Sequence, residues 1–236
     1  MVLIDTVYQR VLALANKEQR GYITPQEFNL LANQAQKLIF EQYFYDIEKT
    51  MMRPGNDSEY GDRLDILNEK IAPFQKTSSN LTYSAAITSF ALPTSTHKLG
   101  TVIYGPSSMT YPVEVEELRE NELLYINSSP ISRPKAIRPI YTKALDENFI
   151  RVQPTTIVND ITCTYVMQPV TAIWGYAVVN SQAMYDNTMT VNFELHPSEE
   201  NELVYKILEL AGITLNKPGL VQIATSEETA MQQLKQ

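Results

Sequence analysis

Apolar residues recur every three or four positions at the start of the chain, at Ile4, Val7, Tyr8, Val11, Leu12 and Ala15. That spacing lays one stripe along a helix and predicts a first helix ending before Gly21. At Ile23-Thr24-Pro25-Gln26-Glu27-Phe28, Thr24 can cap a second helix, Pro25 suits its first position, and Glu27 can reach back to close a capping box. Ile23 and Phe28 complete this start as a hydrophobic staple. The stripe continues through Leu31, Ala32, Ala35, Leu38, Ile39, Tyr43 and Ile47. The second helix therefore extends to about Met51, before Pro54-Gly55, and pairs with the first as a hairpin. After a polar turn from Pro54 to Ser58, Tyr60, Leu64, Leu67 and Ile71 predict a shorter helix ended by Pro73.

From about Phe74 to Glu194 the chain turns rich in Thr, Tyr, Val, Ile and Ser, with short apolar runs at Ile87 to Leu92, Thr101 to Tyr104, Asn148 to Val152, Ile161 to Met167 and Met189 to Phe193. These read as strands. One helical interruption is expected at Glu114 to Tyr125, where Val115, Leu118 and Glu122 are spaced for a helix face and the acidic residues suit its first turn. Helix returns after His196-Pro197-Ser198-Glu199-Glu200, with Leu203, Ile207, Leu210 and Ala211 on one face and Gly212 as the expected stop. Asn216 to Gly219 then leads into a weakly amphipathic stretch from Leu220 to Leu234. The predicted fold is α+β, with N- and C-terminal helices packed as a helical bundle around a β-rich, antiparallel sheet or sandwich-like insertion. Its parts are an N-terminal helical part at 1–73, a β-rich middle domain with one short helix at 74–194, and a C-terminal helix and tail at 195–236.

The chain has 236 residues, 44% of them hydrophobic, and a formal net charge of −8, so it can bury a sizeable core. The acidic balance disfavours a protein that grips phosphate backbones, since such binding relies on Lys and Arg displacing counterions. Cys163, the sole cysteine, can build neither an internal disulfide nor a Cys-rich zinc site. The first residues lack the basic flank and cleavage site of a secretory signal. No apolar run approaches the roughly 18 residues that cross a bilayer, and no membrane partner is expected.

Candidate chemistry is sparse. Asn16 to Glu27 matches an EF-hand loop in having Gly21 sixth, Ile23 eighth and Glu27 twelfth. Calcium also needs oxygen ligands at the first, third and fifth positions, and Arg20 stands at the fifth. A turn followed by a capping box accounts for the same residues without metal. His97 and His196 lie in no recognisable catalytic setting, and Cys163 alternates as a core-facing strand residue in Ile161-Thr-Cys-Thr-Tyr165. Glu116, Glu117, Glu120 and Glu122 read as a solvated face. No phosphate-loop, nucleophile-elbow or zinc-protease motif is present. The expectation is a protein without catalytic, cofactor-binding or metal residues and without a cofactor. Two features suit assembly instead. Pro130, Pro134, Pro139, Pro154 and Pro169 favour edge strands or extended arms in the β region, and 14 tyrosines supply side chains enriched at protein interfaces.

The opening Asp5-Thr-Val-Tyr-Gln-Arg10, the stretch Gly21-Tyr-Ile-Thr-Pro-Gln-Glu-Phe28, and Ala32-Asn-Gln-Ala-Gln36 followed by Phe40-Glu-Gln-Tyr-Phe44 resemble the N-terminal helices of tailed-phage structural proteins. The likeness is to head-to-tail connector ring, or adaptor, proteins of crAss-like and related podoviruses, the tail tubular protein A type. Arg138-Pro-Ile-Tyr141, Phe149-Ile-Arg-Val-Gln-Pro154 and Trp174-Gly-Tyr176 look like the β portion of such proteins, and Phe193-Glu-Leu-His-Pro-Ser198 like a strand entering a C-terminal helix. The resemblance implies a non-enzymatic virion subunit, assembled in the host cytoplasm, that forms a ring with copies of itself, commonly a dodecamer. The ring would contact the portal protein and downstream tail proteins, with DNA passing through its lumen unread. An acidic lumen would repel phosphates and let DNA slide. Alternatives from other classes are another tail or stopper protein, a calcium module built on Asn16 to Glu27, and a small hydrolase using His97 or His196.

Overall fold

The computed structural model describes residues 1–16, 23–52, 58–107, 109–143, 148–180, 182–214, and residues 225, 226 and 229. Among the described residues, five α-helices, α1 (Ile4–Asn16), α2 (Pro25–Met51), α3 (Ser58–Ile71), α4 (Glu120–Ser128) and α5 (Glu200–Thr214), accompany ten strands. The strands are β1 (Gln75–Thr77), β2 (Thr82–Ser84), β3 (Ser89–Ala91), β4 (Thr96–Tyr104), β5 (Val113–Glu117), β6 (Ile140–Lys143), β7 (Phe149–Gln153), β8 (Ile161–Met167), β9 (Tyr176–Val179) and β10 (Gln182–Tyr185). The chain divides into two compact units, one of residues 1–73 with 169–236 and one of residues 74–168.

The second unit is a single curled sheet of eight strands in the order β1-β8-β4-β5-β6-β7-β3-β2. Its two edge strands, β1 and β2, are consecutive in sequence. The backbone between them stays on β8, with Ser78 N–H donating to Cys163 O at 2.8 Å and Leu81 N–H to Ile161 O at 2.8 Å, while β2 pairs with β3. One short stretch of chain thus holds both ends of the sheet, and the curl follows from it. The alternating residues of β7 and β8, Ile150, Val152, Ile161 and Cys163, join Phe90, Val102, Val115 and Tyr141 in the core. Period-two alternation puts them on one face, and curling brings that face against itself. Among the described strands of this sheet the pairings are antiparallel except β5 with β6, which run parallel. A parallel pair needs a crossover, and here α4 with residues 129–139 supplies it.

The first unit gathers α1, α2, α3 and α5, with α1 and α2 each packed on α5 and α3 on α2. Ile4, Val7, Val11, Phe28, Ala32, Ile39, Leu203 and Ile207 are fully buried along the predicted stripes. The capping box is formed: Glu27 N–H donates to Thr24 Oγ1 at 3.3 Å, and Thr24 N–H to Glu27 Oε2 at 3.0 Å. Ile23 and Phe28 are buried beside it.

The fold corrects the sequence expectation in several places. The helices do not form a terminal bundle around an inserted antiparallel sandwich. The protein is a mixed α+β structure dominated by one curled sheet, with α4 inside the sheet unit. The helical faces also close on extended segments as well as on each other: Val2, Ala172, Trp174, Phe193 and Leu195 are buried in the same unit, and Val2 bridges Phe193. Glu114 to Tyr125 is not one helix. Val113 and Val115 alternate with glutamates as β5, Val115 faces Val102 across the ladder, and α4 begins at Glu120. Met189 to Phe193 forms no strand. A short 3-10 turn, Asn187–Met189, precedes isolated bridges at Val191 and Phe193. Helix α5 runs through Gly212 to Thr214. The loop core at 17–22, most of the Pro54 to Ser58 turn, and Asn216 to Leu234 apart from residues 225, 226 and 229 lie outside the described residues.

Candidate interaction surfaces

Trp174 organises the helical unit's projection. Side chains on one edge of α2 bond to alternate residues of the extended segment 170–174. Asn29 Oδ1 accepts from Trp174 N–H at 2.8 Å and its Nδ2 donates to Trp174 O at 3.3 Å. Asn33 makes the same pair with Ala172, both at 2.8 Å. Gln36 Nε2 donates to Val170 O at 2.8 Å, whereas Val170 N–H goes to Glu194 Oε2 at 3.0 Å. From Asn29 to Asn33 four helical residues rise about 6 Å against about 6.6 Å for the two extended residues from Trp174 to Ala172, so these two rungs stay in step; Gln36 is only three residues on and meets Val170 with its longer side chain. The opposite edge of the segment is held where Ile173 exchanges two backbone bonds with Val191, at 2.9 and 2.8 Å.

Trp174, positioned this way, packs its ring on Tyr8 at 4.4 Å and donates Nε1–H to Asp5 Oδ1 at 3.0 Å. Its ring also meets Tyr176 at 5.9 Å and Tyr185 at 5.7 Å, the paired residues at the base of the β9–β10 hairpin. Gly175 is required there, because a Cβ would lie 2.7 Å from Asp186 O. An isolated two-stranded ribbon is marginal in water, and this one is fixed at its base by stacked aromatics. Beyond the base it carries no charge and exposes Val178 (68%), Val179 and Met184.

The sheet unit has its own projection in the crossover between β5 and β6. Leu123, Pro134 and Pro139 are buried and anchor it. Leu124, Tyr125, Ile131 and Ile137 point outward, with Ile131 92% exposed. The crossover is ordered by its own backbone. Arg133 N–H donates to Ser129 O at 3.1 Å, and Lys135 and Arg138 exchange bonds at 3.3 and 2.9 Å across a tight turn. Arg138 also meets Glu116 Oε2 at 3.0 Å. Sequence reasoning anticipated prolines on an arm; Pro134 and Pro139 are its buried feet, and Ile131 and Ile137 form its surface.

The residues considered for chemistry are dispersed. His97 is exposed on β4. His196 caps the short turn Pro197–Glu199, its Nδ1 accepting from Ser198 N–H at 3.3 Å. Cys163 is buried on β8, where its N–H donates to Ser78 Oγ at 3.0 Å, and burial raises its thiol pKa against a smaller opposing hydrogen bond from Ser78. Glu27 spends Oε2 on Thr24, whose backbone and side-chain bonds lower its pKa. Glu116 and Glu117 sit on β5, while Glu120 and Glu122 open α4. Among the described residues no group of three or more His, Cys, Asp or Glu side chains could hold a metal ion, and no described helix is long and apolar enough to cross a membrane. Sequence reasoning missed the asparagine rungs, since a polar stripe on a helix gives no sign of the partner it meets. No protein-family model matches the chain, and no curated protein matches it significantly.

Proposed function

We propose that this chain is a structural virion protein, a subunit of an oligomeric ring in a phage head-to-tail connector that joins portal to tail and surrounds the DNA channel. The observation that carries the reading is the display of large apolar side chains on two ordered projections, the crossover with Ile131 and Ile137 and the β9–β10 hairpin with Val178 and Met184. Contiguous exposed apolar surface on a soluble protein marks an association site. A closed ring requires heterologous contacts, in which one patch meets a different patch on the neighbour. The residues quoted above for their resemblance to connector rings support the same reading.

The charge supports a conduit. Residues 74–168 carry eight acids and eight bases, so the whole net charge of −8 belongs to the rest of the chain. An acidic surface turned toward a lumen repels phosphates and lets DNA pass without being held. Native mass spectrometry of the full chain over a range of concentrations, with and without purified portal, tests the reading. The expected result is one closed oligomer, unchanged by calcium and ring-shaped in the electron microscope. A monomer under every condition overturns it, and a monomer that takes up calcium, lost in Glu27→Ala, replaces it with the calcium module.

A further inference from the structure

The crossover arm, residues 129–139, carries Arg133, Lys135 and Arg138 and no acid, a basic segment in a chain of net charge −8. Arg133 and Lys135 lie between exposed Ile131 and Ile137, and Arg138 follows. The two buried prolines and the Lys135–Arg138 turn hold it in one conformation, so docking would cost little ordering entropy. A surface of complementary character lies on the outward face of α2. There Leu30, Asn33, Gln34, Lys37, Leu38 and Glu41 line a groove of about 320 Å³, and Leu30 and Tyr45 are 73% and 64% exposed. Lys37 lies in the groove beside Glu41; from there to Lys49 the charged residues of the helix are the acids Glu41, Asp46 and Glu48, with Glu41 and Glu48 exposed.

We propose that the arm of one copy docks on the outward face of α2 in a second copy, making the heterologous contact that propagates the ring. Ile131 and Ile137 cover Leu30, Leu38 and Tyr45, while Arg133 and Lys135 meet Glu41 and Glu48. The apolar tips favour this occupant over nucleic acid, since a phosphate backbone offers nothing to cover isoleucine. The inference rests on the ring reading and adds which two surfaces meet.

The test uses the full chain and two charge-reversed variants, Arg133→Glu with Lys135→Glu, and Glu41→Lys with Glu48→Lys. All four side chains are exposed, and circular dichroism checks that each variant folds. Each variant alone should raise the concentration for half-assembly about tenfold or more, because like charges then face each other. Combining all four substitutions in one chain should restore assembly, and added salt should weaken the wild-type oligomer. Either variant assembling like the wild type, or the combined chain failing to recover, overturns the proposed contact while the ring reading stands. An arm variant that assembles normally but loses retention of duplex DNA assigns the arm to the lumen and also overturns it. A wild-type chain that stays monomeric, with and without portal, overturns both readings.

Discussion

The carboxamide of Asn33 holds both backbone polar groups of Ala172, accepting from its N–H and donating to its C=O at 2.8 Å each. A side chain on α2 thus does for the extended segment what a neighbouring strand would do, and Asn29 repeats the arrangement at Trp174. The consequence reaches the surface. With residues 172 and 174 fixed in register, the Trp174 ring is placed between Tyr8 and the base of the β9–β10 hairpin. A polar contact inside the helical unit therefore sets where an apolar ribbon projects.

Removing that carboxamide should be costly. Asn33→Ala leaves the N–H and C=O of the buried Ala172 without the partners they have in Asn33, and a loss of about 2 to 3 kcal/mol is expected. Asn33→Asp should not rescue it, because a carboxylate oxygen would face the carbonyls of Ala172 and Asn29 that Nδ2 now serves. Urea unfolding of the three proteins measures both. An aspartate variant as stable as the wild type would show that the Nδ2 bonds contribute nothing.

What was legible in the sequence was local. The Thr24 to Glu27 capping box and the Ile23–Phe28 staple depend on residues a few positions apart, and both are formed. The alternation from Ile161 to Met167 matches β8. The error at Glu114 to Tyr125 arose because valines two apart, followed by Leu118 and Glu122, satisfy strand and helix spacings in turn; only the pairing of Val115 with Val102 decides between them. Long-range polar contacts left no trace. Glu199 reads only as an acid in a helix's first turn, yet it is fully buried against Lys70. The curled sheet was hidden for the same reason, since its closure rests on Ser78 and Leu81 bonding to β8 far along the chain.

That buried pair gives a second expectation. Lys70 Nζ lies 2.7 Å from Glu199 Oε1, joining α3 to the turn before α5, and Ser198 Oγ donates to the same carboxylate oxygen at 3.0 Å. Tyr43 is buried nearby, its hydroxyl pKa raised by burial and by Glu199 and Glu202. Lys70→Met would take from a buried carboxylate the ammonium 2.7 Å away, at a cost of about 3 kcal/mol or more. Adding Glu199→Gln removes the buried negative charge and should recover much of the loss. Thermal or urea denaturation that finds the single variant within about 1 kcal/mol of wild type would mean the pair is not held this way.

In the sheet unit the pH dependence follows from Glu117. Lys143 Nζ sits 2.8 Å from its Oε1, and Tyr141 Oη donates to its Oε2 at 2.9 Å. The Lys143 hydrogen bond is the main cause of a carboxyl pKa below its ordinary 4.5, with burial opposing and Tyr141 assisting. A folded pKa below the unfolded one adds stability above the unfolded value, and that stability is lost as pH falls through the folded pKa. Lys143→Met should therefore be less stable than the wild type at neutral pH, with a gap that closes as pH drops below 4.5. Because the pair is half-exposed, the gap should be small and shrink in salt. Denaturation midpoints from pH 7 to 3, compared between the two proteins, read it; a gap that widens toward acid would reverse the assignment.

Trp174, the single tryptophan, is both the keystone of the hairpin and its own reporter. It is 4% exposed, so its emission should be shifted to short wavelength in the native protein and move red only when the helical unit opens. Trp174→Phe retains an aromatic face for Tyr8, Tyr176 and Tyr185 but loses the Nε1 bond to Asp5, and about 1 to 2 kcal/mol is expected from the smaller ring and the missing bond. Trp174→Ala removes the stacking as well and should cost about 3 to 5 kcal/mol. The two substitutions should also differ at the surface. With phenylalanine the hairpin keeps its footing, whereas with alanine the ribbon loses the contacts that offset its marginal stability. Hydrogen exchange of the β9 and β10 amides should accelerate in Trp174→Ala far more than in Trp174→Phe, before global unfolding. Equal exchange in the two variants would mean that the ribbon stands on its backbone pairing alone.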